Sequence, residues 1–147
     1  MPQRTTNAKR AAQRPASTIS EVAPGVFVGG RKDAANFTGA RVCVLDERPD
    51  GMPPATHVPI YDGASDRIVP KNLDRVADLV AAARAKGEPV LVFCGHGVRR
   101  SPLAAAWYLR RAEGLSLDAA YARIRTARPQ IETAREWVGD LTGLDAA

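Results

Sequence analysis

The chain has 147 residues, 45% hydrophobic and 25% charged, which suits one globular domain with a single core and leaves little room for a second. Its net charge of +5 hints at an anionic polymer as partner, but residues 1–17 supply +4 of it through Arg4, Lys9, Arg10 and Arg14 with no acid among them. No apolar run approaches the length of a membrane span or a secretory leader, and Cys43 and Cys94 are too few for a disulfide scaffold and too far apart for a zinc site. A cytoplasmic protein in a reducing compartment is the expectation.

In chain order, residues 1–17 hold prolines and polar residues with almost nothing large and apolar, so they read as a disordered basic tail ahead of one domain at 18–147. Residues 18–22 and 26–28 read as paired strands about the turn Ala23-Pro24-Gly25. Residues 41–45, 57–60 and 89–93 are short apolar runs bounded by Gly, Pro or charge, as buried strands are. Between the last two, residues 71–86 place Leu73, Val76, Leu79, Val80 and Ala83 at helical steps, with Pro70 before and Gly87 after. Three helices follow at 101–112, 116–127 and 132–141, separated at Gly114 and Pro129. The class is α/β: a central, mostly parallel sheet flanked by helices, a helical C-terminal third, and chemistry at the C-terminal ends of the strands.

One segment carries that chemistry. Val90 to Phe93 lead as a strand into Cys94-Gly95-His96-Gly97-Val98-Arg99-Arg100, and Ser101-Pro102 open a helix. A helix start offers unpaired N–H groups and the positive dipole end, and the glycines let the preceding amides curl inward, which suits a phosphate dianion. The same groups favour thiolate over thiol at Cys94. Arg100 can grip two phosphate oxygens with its planar fork. The bare spacing of Cys and Arg is weak in a chain with 17 arginines; the strand, glycines, Ser101 and helix give it weight.

Phe93 to Pro102 resembles the signature loop of the dual-specificity branch of the protein-tyrosine phosphatase superfamily. Residues 19–30 resemble that family's opening strands, and Arg128-Pro129-Gln130-Ile131 its late helix junction, so the likeness covers about residues 18–140. One departure is Phe93, where the family usually has His. The resemblance implies the phosphatase fold with its Cys-x5-Arg loop, Cys94 as nucleophile, Arg100 as phosphate ligand, and phosphate binding by Gly95, His96, Gly97, Val98 and Arg99. It implies that the Ser101 hydroxyl helps discharge a phosphocysteine, although bonding a helix N–H is the plain alternative.

A leaving alkoxide needs an acid. Asp62, 32 residues ahead of Cys94 and just past an apolar run, occupies the position of the family's general acid; Asp66 is the alternative, and either could instead shape the turn or cap the next helix. His57 and Cys43 read as structural, and Trp107, Tyr108, Tyr121 and Trp137 as packing. No metal or organic cofactor is implied. The expected substrate is a phosphorylated protein, at Tyr and also Ser or Thr, with neither membrane nor nucleic acid as partner. A phosphoinositide or RNA 5′-phosphatase of the same superfamily, or a catalytically silent phosphate-binding module, are the rivals. Oligomeric state is not legible.

Overall fold

The computed structural model describes residues 19–139. The expected tail at 1–17 and the end of the third C-terminal helix, beyond 139, lie outside the described residues.

Strands β1 (Ser20–Ala23), β2 (Val26–Gly30), β3 (Ala40–Cys43) and β4 (Thr56–His57) join β7 (Val90–Cys94) in one sheet of order β1-β2-β7-β3-β4. Only the β1–β2 pair is antiparallel, because the two-residue turn at Pro24-Gly25 folds the chain straight back. β7 lies between β2 and β3 and is parallel to both, and all five of its residues are buried, as a strand covered on both faces must be. Its register pairs Gly30 with Cys94 and Cys43 with Phe93, so three strands end together at one edge of the sheet.

Alternation along β7 sends side chains to two cores. Val90, Val92 and Cys94 face the larger core, which is closed by helices α2 (Pro70–Ala85), α3 (Arg100–Glu113), α4 (Leu117–Ala127) and α5 (Arg135–Val138). Leu91 and Phe93 face a smaller one with Ala34 of the short α1 (Arg31–Ala34), Phe37 and Cys43.

Helix α2 starts at a proline, buries Leu73, Val76, Ala77, Val80 and Ala83 on one stripe, and ends where Gly87 takes φ 73°. There the Glu88 amide donates to Ala83 O at 2.9 Å, satisfying a last-turn carbonyl. Helix α3 is buried without interruption from Ser101 to Leu109, which makes it the central helix of the larger core. Ser116 caps α4 by accepting from the Ala119 amide at 3.1 Å.

The expected boundaries hold to within a residue or two for the long elements, but the last helix, expected from 132, begins only at Arg135. The apolar run at 57–60 contributes only its first residue to a strand. Beyond it a small antiparallel ribbon, β5 (Tyr61–Asp62) with β6 (Arg67–Ile68), carries the Asp62 turn as a separate two-stranded sheet.

Candidate active site

Cys94 closes β7, and the five residues after it turn into the first residue of α3, Arg100. Four successive loop carbonyls are bound from outside. Gly95 O accepts from the Arg31 amide at 3.2 Å and Val98 O from the Glu132 amide at 2.8 Å. His96 O and Gly97 O accept from the Arg128 guanidinium at 3.2 and 2.8 Å. With its carbonyls held outward, the loop must turn its amides toward the centre, and that is an anion cradle. Gly97 has φ 71°, and a Cβ there would lie 2.7 Å from the Gly29 backbone and 2.6 Å from Arg128 Nη2, so only glycine fits.

The amides converge on sulfur. Cys94 Sγ accepts from the amides of Gly97 at 3.3 Å and Ser101 at 3.4 Å, and the Ser101 hydroxyl lies 3.2 Å away. That hydroxyl, fully buried, also donates to Gly29 O at 3.3 Å. Ser101 is therefore held against the thiol and the β2 backbone, within hydrogen-bond distance of Cys94 seven residues earlier in the chain.

Phe93 points away from Cys94 into the smaller core, fully buried, so the residue that departs from the family pattern does not face the sulfur. Cys43 lies on that same far side, and burial raises its thiol above the ordinary range. The two cysteines thus stand on opposite faces of the sheet, both free.

Arg100 donates through Nη1 to Asp46 Oδ1 at 3.1 Å, with its guanidinium carbon 5.4 Å from the centre of the Tyr61 ring. This contact holds the Asp46 carboxyl below its usual range. Arg99, its neighbour, turns the other way: it pairs with Glu136, reaches Glu132 at 4.0 Å and lies 4.5 Å over the Trp137 ring. Trp137 in turn stacks on Tyr61 with centroids 4.0 Å apart. A cavity of about 370 Å³ lies over the loop, lined by Leu45, Cys94 to His96, Val98 to Arg100, and Glu132.

Asp62 stands in the exposed turn of the β5–β6 ribbon, where its carboxylate accepts from the Ala64 amide at 3.0 Å and the Ser65 hydroxyl at 2.9 Å. Asp66, at φ 59°, accepts from the Tyr61 hydroxyl and ties the ribbon's ends together. His57 Nε2 lies 2.7 Å from Leu45 O, a structural role as expected.

Three residues beside the loop were not singled out from sequence. Asp46 had no signal at all. Arg128, only 3% exposed, appeared as part of a motif without a role, and Trp137 was read as core packing. Among the described residues no group of His, Cys, Asp or Glu could hold a metal ion.

A thiol at the end of a central parallel strand, ringed by inward amides, with an Arg opening the following helix, defines the class of cysteine-based phosphatases. The model of the dual specificity phosphatase catalytic domain matches residues 41–145, and the chain belongs to that family. It is a protein phosphatase by that membership. Human dual specificity phosphatase 28 is 32% identical over 124 residues, covering 78% of this chain and 70% of that protein. Human dual specificity protein phosphatase 16 is 27% identical over 136 residues, which span only 20% of its length. Among solved structures, a mouse putative dual specificity phosphatase complexed with zinc tungstate superposes with a TM-score of 0.73 at 26% identity, covering 88% of this chain and 87% of that one. Human dual specificity phosphatase 28 gives 0.73 at 24% identity over 91% and 98%.

Proposed function

We propose that this chain hydrolyses phosphate monoesters on protein Tyr, and on Ser or Thr, through a phosphocysteine on Cys94. The observation that carries the reading is the loop itself: four carbonyls turned outward around a thiol that already accepts two amide N–H bonds. Fixed dipoles of this kind stabilise an anion without reorganising as charge develops.

In the first step Cys94 Sγ attacks phosphorus, the bond to the ester oxygen breaks, and Asp62 gives that oxygen a proton. To do so Asp62, the last residue of β5 at the start of the exposed turn 63–66, has to leave its bond to Ser65. Arg100 and the loop amides of residues 95–100 carry the equatorial oxygens. In the second step water attacks phosphorus, Asp62 takes its proton, and the P–S bond breaks. Ser101, 3.2 Å from Sγ, is positioned to donate to the departing thiolate once its hydroxyl turns from Gly29 O.

Protein substrates are favoured over phosphoinositides or RNA ends by the state of Arg99. Its Nη2 pairs with Glu136 and its face lies over Trp137, so among the described residues the one Lys or Arg that lines the loop cavity besides Arg100 is already partly engaged. The curated relatives are named as dual specificity phosphatases, which supports the same substrate class.

The test is turnover of phosphotyrosyl, phosphothreonyl and phosphoseryl peptides beside phosphatidylinositol 5-phosphate and a 5′-triphosphorylated RNA. Phosphopeptides are expected to lead in kcat/KM; a preference of more than about tenfold for lipid or RNA would overturn the assignment. Asp62→Asn is expected to cut kcat by about a hundredfold with KM little changed, and Asp66→Asn to leave kcat within about threefold.

A further inference from the structure

The guanidinium that grips phosphate is itself gripped, by a carboxylate that takes no part in the two steps above. Asp46 comes three residues after β3, and its approach to the site is pinned. The Val44 amide donates to Phe93 O at 3.0 Å, and His57 Nε2 lies 2.7 Å from Leu45 O. From there one Asp46 oxygen takes Arg100 Nη1 at 3.1 Å. The Gly63 backbone also helps hold this carboxyl low. A Cβ on Gly63 would sit 2.9 Å from Asp46 Oδ2, so the turn lies close against this carboxylate.

Three elements therefore meet at one side chain: the end of β3, the Asp62 turn and the start of α3. The geometry points to Asp46 as a positioning residue, which fixes the Arg100 fork before phosphate arrives and seats the Asp62 turn beside it. Only Nη1 is spent on this contact. Among the described residues Arg100 Nε and Nη2 have no hydrogen-bond partner, so one edge of the fork is left to meet two phosphate oxygens. A long Arg side chain otherwise loses its rotamer freedom at the moment of binding, and restraining it in advance removes that cost. A carboxylate near a dianion also repels it, and the inference is that orienting the fork outweighs this repulsion.

The inference rests on the phosphate-ester reading but is tested apart from it. Binding of inorganic phosphate by calorimetry needs no turnover and is measured for wild type, Asp46→Asn and Asp46→Ala. Hydrolysis of p-nitrophenyl phosphate is followed in parallel. Asp46→Asn keeps an acceptor for Nη1 and is expected to bind phosphate within about threefold of wild type. Asp46→Ala frees the fork and is expected to bind it at least about tenfold more weakly and to lose a comparable factor in kcat/KM.

A merely structural role is separated by a double-mutant cycle with Arg100→Lys, which has no fork to orient. In that background Asp46→Ala is expected to cost less than about twofold. Phosphate binding by Asp46→Ala equal to or tighter than wild type would overturn the inference, as would losses that multiply in the double variant. Binding that depends on Asp46 in a protein that turns over no phosphate ester would instead sink the function and leave Asp46 in place.

Discussion

Neighbours on β7 face opposite ways, and their fates follow from that. Cys94 meets amides and a hydroxyl, whereas Phe93 is sealed among Ala34, Phe37, Cys43 and Leu91. Arg128 illustrates the cost of building the loop. It is buried, its charge is disfavoured there by desolvation, and it is retained because it serves two loop carbonyls, Ser20 Oγ at 3.1 Å and Val28 O at 3.5 Å. Arg128→Met should leave His96 O and Gly97 O unsatisfied and lower stability by about 3 kcal/mol, read from urea unfolding, while weakening phosphate binding. Stability equal to wild type would mean that the carbonyls do not need it. Cys94, Arg100 and Ser101 were legible because they lie within eight residues of one another in the chain. Asp46 and Arg128 were not, since each acts on the loop from tens of residues away and nothing in local spacing records that meeting.

Among the elements, the loop is the one whose shape cannot be traded. At Gly97 a methyl group would meet both Gly29 and Arg128, at a φ that disfavours any side chain. Gly97→Ala is expected to destabilise by about 2 kcal/mol or more and to abolish detectable phosphate binding; an alanine variant that binds phosphate within about threefold of wild type would show that the cradle is more compliant than its packing implies. The long helices and β7 were readable from periodicity and from Pro70, Gly87 and Gly114, because each element is long enough to repeat its pattern. The β5–β6 ribbon was not. Its strands have two residues each, too short for alternation to register, and its Asp62 turn was seen only as a loop.

Across the whole molecule, the parallel register of β2, β7 and β3 brings three strand ends to one edge, and the order of the sheet could be anticipated only as mostly parallel. The C-terminal helices close over the larger core through Tyr121, whose oxygen accepts from the Ala134 amide at 3.1 Å. Burial pushes its phenol up to about 12. The folded state thus holds the proton that the unfolded chain releases near pH 10, so this contribution is intact below pH 10 and is lost as pH rises toward 12. Between pH 9 and 11.5 the wild type should lose up to about 2 kcal/mol more stability than Tyr121→Phe in denaturant unfolding; equal losses would place Tyr121 outside the alkaline transition.

The most direct test of the chemistry is a single substitution at the sulfur. Hydrolysis of p-nitrophenyl phosphate should be measurable for wild type and fall by about a thousandfold or more in Cys94→Ser, with calorimetric binding of tungstate retained by the variant. Hydrolysis by Cys94→Ser at the wild-type rate would contradict a phosphocysteine on Cys94.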